Sequence, residues 1–87
     1  MSDDLVEALQ ELGFTSAEAK AYIALLKVSP ATGYELASRS GVPRSAIYGV
    51  LKRLEGQGLV NVAGREPARY VALPPADLEK IIEARFA

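Results

Sequence analysis

The chain has 87 residues, 49% of them hydrophobic and 24% charged, with a formal net charge of −1. That length fits one folded domain and leaves no room for two. With neither Cys nor His, the sequence excludes a thiolate or histidine zinc site, a disulfide framework, a thiol nucleophile and a Ser-His-Asp triad.

Residues 2–12 read as a short first helix. Ser2 caps it, Asp3 and Asp4 suit the positive end of its dipole, and Leu5, Ala8, Leu9 and Leu12 form one apolar stripe. Gly13 suits the left-handed residue that ends a helix. Thr15-Ser16-Ala17-Glu18 then has the form of a capping box and opens a second helix over residues 16–28. Ala19, Tyr22, Ile23, Leu25 and Leu26 crowd its surface and leave only a narrow polar stripe around Lys20 and Lys27, so this helix is expected at the centre of the core. Ser29-Pro30 stops it.

Thr32-Gly33-Tyr34-Glu35 is a second capping box and opens a short helix that ends near Ser40 and buries Leu36 and Ala37. Gly41-Val42-Pro43 forms the turn, with Pro43 at the start of the next helix, where a missing N–H costs nothing. That next helix covers about residues 44–57. Ile47, Val50, Leu51 and Leu54 give it one buried stripe, and Gly58 closes it. The period then drops from 3.6 to 2, and residues 59–62 and 69–73 read as two strands joined by a Gly- and Pro-containing loop, a β-hairpin. Pro74-Pro75 interrupts the chain. A last helix is expected from about residue 75, with Leu78, Ile81, Ile82 and Phe86 on one stripe.

Three helices followed by a two-stranded hairpin make a winged helix-turn-helix, a mainly α fold with a small β-hairpin and an extra C-terminal helix. The spacing of Ala37, Gly41 and Ile47 supports it. A small residue lets two helices cross closely, a glycine permits positive φ in the turn, and Ile47 packs the second helix on the first. Residues 1–74 are read as this domain. Residues 75–87 are read as a helix for dimerisation or a linker to a further domain.

Charge is segregated along the chain. Residues 1–35 hold only Lys20 and Lys27 against six acids, whereas residues 36–72 hold Arg39, Arg44, Lys52, Arg53, Arg65 and Arg69 against Glu55 and Glu66. A local basic surface binds phosphate even when the whole chain is near neutral. With Ile47, Val50, Leu51 and Leu54 inward, Ser45, Gly49 and Lys52 point outward, flanked by Tyr48 and Arg53, with Arg44 at the helix start. In a docked recognition helix the N-terminal residues reach base edges. Arg44 is suited to a guanine, Ser45 to a base or phosphate, and Tyr48 to a phosphate or thymine methyl. Lys52 and Arg53 suit phosphate contacts. Gly49 costs roughly 1 kcal/mol of helix stability against Ala, and its lack of bulk lets the helix approach a groove. Arg65 at the hairpin tip and Arg69 on the return strand suit the backbone or the minor groove.

The residues also resemble a known family. Residues 12–19 with 22–26, the run Gly41-Val42-Pro43-Arg44-Ser45-Ala46-Ile47-Tyr48, Leu51-Lys52-Arg53-Leu54-Glu55, Gly58-Leu59-Val60 and Pro67-Ala68-Arg69-Tyr70 followed by Leu73-Pro74-Pro75 are similar to the N-terminal winged-helix domain of TrmB-type regulators. The resemblance runs from about Leu5 to Leu78. It implies a prokaryotic, chiefly archaeal, transcriptional regulator whose helix over residues 44–57 reads the major groove. Longer members carry a sugar-binding C-terminal domain. This chain contains no counterpart of it, so sugar sensing is not carried over, and no small-molecule pocket is expected.

The expected partners are therefore double-stranded DNA and a second copy of the chain joined through Leu78, Ile81, Ile82 and Phe86, which places two recognition helices about one DNA turn apart. No cofactor and no metal are expected, and no enzymatic activity, since no nucleophile–base pair or phosphate-cradling glycine loop appears. No apolar run approaches the roughly 20 residues that span a bilayer, and the acidic N-terminus is unlike a signal peptide. A cytoplasmic location is the expectation. The competing reading is a winged helix that docks protein partners, a role that requires no cationic recognition face.

Overall fold

The computed structural model describes residues 2–73. The helices and strands follow in the order α1 (Ser2–Glu11), α2 (Ser16–Val28), β1 (Ala31–Thr32), α3 (Gly33–Ser40), α4 (Arg44–Gly56), β2 (Val60–Ala63) and β3 (Arg69–Ala72). Both capping boxes form as expected. Thr15 N donates to Glu18 Oε1 at 2.8 Å while its hydroxyl accepts from Glu18 N at 3.0 Å. Thr32 and Glu35 repeat the arrangement at 2.9 and 3.1 Å. Each box satisfies two helix-end donors that would otherwise lack a partner, which is why α2 and α3 start where the sequence says they do.

α2 is the hub. It packs against α1, α3, α4 and β3. Tyr22 and Leu25 from α2 meet Leu36 from α3 and Ile47, Leu51 and Leu54 from α4 in a core from which water is excluded. Two expected core positions differ. Leu26 is 44% exposed and Leu5 is 37% exposed, because each lies at the margin of its helix's buried face. The turn between α3 and α4 is made as expected. Gly41 has φ 79°, the left-handed region open to glycine at little cost, and its N–H donates to Ala37 O at 3.1 Å.

The wing differs from the expected two strands. The sheet has three, in the order β1-β3-β2, all antiparallel. The added strand is the two-residue β1, which pairs Ala31 with Tyr70 and Thr32 with Arg69. It stitches the hairpin to the segment between α2 and α3. Two further bonds strengthen the seam: Ala72 N donates to Ser29 Oγ at 3.1 Å, and the Tyr22 hydroxyl donates to Leu73 O at 3.1 Å. Burial pushes the Tyr22 hydroxyl above its ordinary pKa. The wing's root is thus tied to α2, and only its tip projects. The expected last helix, with Leu78, Ile81, Ile82 and Phe86, lies outside the described residues.

Candidate nucleic-acid interface

α4 buries Ile47, Val50, Leu51 and Leu54 and leaves the rest of its circumference open. Arg44, Ser45, Tyr48, Gly49, Lys52 and Arg53 are all exposed, so the expected outward face exists. Its N-terminus is also open: Pro43 is the N-cap, and no side chain accepts a bond from the first turn.

Individual positions refine the expectation. Arg44 does not hang freely in solvent. Its guanidinium carbon lies 4.6 Å from the centroid of the Tyr34 ring, contributed by α3. Tyr48, 56% exposed, leans across the start of α3. A Cβ placed on Gly33 would lie 2.7 Å from Tyr48 Cζ and 3.0 Å from its hydroxyl oxygen, so the ring uses the space that glycine leaves. At Gly49 the situation is opposite. An added Cβ would meet only Arg53 Nη1, at 3.8 Å, an ordinary contact, and the backbone φ is not left-handed. Nothing inside the described domain requires glycine there.

Arg53, expected to suit phosphate contacts, also has a partner within the fold: it donates through Nε to Glu18 Oε2 at 3.0 Å, bridging α4 to α2. Its side chain remains 55% exposed, so one edge of the guanidinium is committed to the fold and the other faces out. Glu18 is the buried partner. The Thr15 backbone N–H is the main influence holding its carboxyl below the ordinary 4.5, and Arg53 assists against the opposing effect of burial. Sequence reading placed Glu18 in its capping box but not in this bridge, which joins residues 35 apart.

Lys52 is exposed on α4, and Arg65 sits at the hairpin tip. Arg69 belongs to the wing's root instead. It stands opposite Thr32 and Ala63 in the sheet register, and its charge helps lower the Glu35 carboxyl, whose chief influence is the Thr32 N–H. Tyr70, expected as a cross-strand residue, is half-buried against the core. Burial is the main cause that raises its hydroxyl pKa, followed by the neighbouring Tyr48 and Glu55.

Away from this face, α1, α2 and α3 bound an open cleft of about 330 Å³ with Lys20, Lys27 and Arg39 around Ile23 and Ala24. No local pattern of residues announces it, because a cleft between three helices is a property of their packing. Among the described residues there is no cluster of three carboxylates placed to hold a metal, and no helix long and apolar enough to cross a membrane.

Comparison with known proteins agrees with the geometry. The family model described as "Sugar-specific transcriptional regulator TrmB" matches residues 9–76. An uncharacterized protein of Bacillus subtilis (strain 168), YrhO, is 46% identical over 80 residues, covering 92% of this chain and 29% of that protein. The HTH-type sugar sensing transcriptional regulator TrmBL1 of Pyrococcus furiosus is 34% identical over 84 residues, covering 95% of this chain and 25% of that protein. The solved structure of TrmBL2, described as an archaeal chromatin protein with a novel mode of DNA binding, superposes with a TM-score of 0.84 at 33% identity, over 99% of this chain and 34% of that one. The chain therefore spans about a quarter to a third of the length of these relatives.

Proposed function

The chain belongs to the TrmB family of transcriptional regulators, and from that premise we propose that it binds double-stranded DNA sequence-specifically and regulates transcription. α4 enters the major groove, and the β2–β3 hairpin lies on the backbone or in the neighbouring minor groove. The observation that carries this reading is the outer face of α4. It combines Arg44, Ser45, Tyr48, Lys52 and the free edge of Arg53 around Gly49, a glycine with no internal reason to be one. Arg44 suits a guanine edge, whereas Lys52 and Arg65 suit phosphates. Arg69, on the return strand of the hairpin, suits the DNA backbone. The DNA-binding activity stated for TrmBL2 supports the assignment by relationship.

The reading extends to the assembly. Residues 1–74 act as the DNA-binding unit. Residues 75–87 pair with their counterpart through Leu78, Ile81, Ile82 and Phe86, giving a homodimer that works in the cytoplasm and has no catalytic role.

The test is binding to a mixed-sequence duplex over a salt series, with Arg44→Ala/Lys52→Ala beside the wild type. Arg53 is kept, because removing it also strips the buried Glu18 carboxylate of its partner. Wild-type affinity should fall steeply with salt. The double variant should lose most of its affinity and show a salt slope lower by about one for each phosphate contact removed. A wild type that does not bind at low salt, where non-specific attraction is strongest, overturns the reading and turns attention to the hairpin as a protein-docking surface.

A further inference from the structure

We propose that Gly33 and Tyr34, the first two residues of α3, are positioning residues that fix the two largest reading side chains of α4, Arg44 and Tyr48, before DNA arrives. The inference rests on the DNA-binding reading above and adds the means by which its reading surface is preset.

Two independent contacts converge on one end of α3. Tyr34 is 59% exposed, more than its own burial needs can justify, yet its ring is occupied: the Arg44 guanidinium lies 4.6 Å from its centroid. A guanidinium held over an aromatic face leaves its N–H donors available, so the ring restrains the cation without using up the donors that a guanine or phosphate would take. Gly33 acts by absence. It occupies the first position of α3 after the Thr32 cap, and its φ is not left-handed, so backbone conformation does not demand glycine. The nearest obstacle to a larger residue is the Tyr48 ring, whose Cζ would stand 2.7 Å from a Cβ at that position.

These contacts have a functional consequence. Long side chains that are free in solution lose rotamer freedom when they bind, and holding them beforehand removes that loss. For two side chains the gain is about two- to tenfold in affinity each. It applies only where both side chains are used as placed, so it favours the preferred sequence over other DNA.

The experiment uses the duplex that the wild-type chain selects from a random library, beside a mixed-sequence duplex. Tyr34→Ala should weaken binding to the selected duplex about two- to tenfold and affect the mixed duplex less. Tyr34→Phe, which keeps the ring, should behave as wild type. In an Arg44→Ala background, Tyr34→Ala should have no further effect. Gly33→Ala should displace the Tyr48 ring and weaken selected-site binding by a similar factor, with nothing added when Tyr48 is already Ala. The fold should survive, because the half-exposed ring can swing aside. In the free protein, the Arg44 side-chain protons should show an upfield ring-current shift that disappears in Tyr34→Ala. Equal losses for Tyr34→Ala with and without Arg44, or no ring-current shift in the wild type, overturn the proposal. If the wild type selects no sequence while the shift is present, the DNA-reading assignment itself has failed, and the stacking stands as a structural contact only.

Discussion

Helices α2 and α4 are each thirteen residues long, yet the domain uses them in opposite ways. α2 buries Glu18, Ala19, Ala21, Tyr22, Ile23 and Leu25, with neighbours on most sides. α4 buries a single stripe of four and shows its other side to solvent. Their ends differ too. α2 begins in a closed capping box, and α4 begins at a proline with no side-chain cap. A helix committed on most sides anchors a fold, whereas a helix committed on one side is free to meet something else. The Glu18–Arg53 bridge joins the two across their packed faces.

The strongest way to test this contrast is to make neighbouring changes on the two sides of α4. Leu51 is fully buried. Leu51→Ala should destabilise the domain by about 2–5 kcal/mol, read as a lower urea midpoint, because it removes apolar contacts and leaves a cavity. Lys52→Ala, one residue along, should leave the midpoint within about 0.5 kcal/mol while weakening attraction to DNA. A large stability loss at Lys52 would mean that the outer face is structural after all.

A smaller effect tests the bridge. Glu18→Ala removes the ion pair and the carboxylate half of the capping box, leaving the Thr15 hydroxyl on the backbone N–H of residue 18, and should cost about 1–2 kcal/mol. Glu18→Gln keeps the box but loses the charge, and should cost less. The pH dependence follows from the sign of the shift. The folded carboxyl titrates below its ordinary 4.5, so the contribution is fully present above that value and is lost as pH falls through the folded one. Urea midpoints between pH 5 and pH 3 should therefore fall more gently in Glu18→Gln than in wild type. Glu35, lowered in the same direction by Thr32, maintains part of the slope in both. An identical slope in the two proteins would show that the Glu18 charge does not stabilise the α2–α4 junction.

What the sequence revealed and what it concealed divides along the same line. Helix ends were legible because capping boxes, Gly41 and Pro43 act within a few residues. The outward face of α4 was legible because it is the complement of a periodic stripe. β1 was not, since Ala31-Thr32 is too short to show a period and owes its strand character to Tyr70 and Arg69, nearly forty residues away. The Arg53–Glu18 bridge, the Arg44–Tyr34 stack and the Tyr48–Gly33 fit were hidden for the same reason. Each joins different helices, and no local pattern encodes a partner that tertiary packing supplies. Tyr34 and Gly33 were visible only as the two middle residues of a capping box, whose outer two carry the signal. Leu26 misled in the other direction, because an apolar residue at the edge of a helical stripe reads as buried whether or not a neighbour covers it.

The finest test is Gly49→Ala, where stability and function should move in opposite directions. Gly49 lies on the exposed face of α4, with ordinary helical φ and only Arg53 Nη1 within contact of an added Cβ. Alanine should therefore stabilise the helix by up to about 1 kcal/mol, the difference in intrinsic helix propensity. A rise in the thermal or urea midpoint is the expected result. If the face is only a solvated surface, nothing else should change. If α4 lies close against the floor of a groove, the added methyl intrudes on the approach and binding to the selected duplex should weaken even as the domain becomes more stable. Stabilisation with undiminished binding would show that the groove leaves room at position 49, and would shift the reading contacts toward Arg44 and Tyr48 at the helix start.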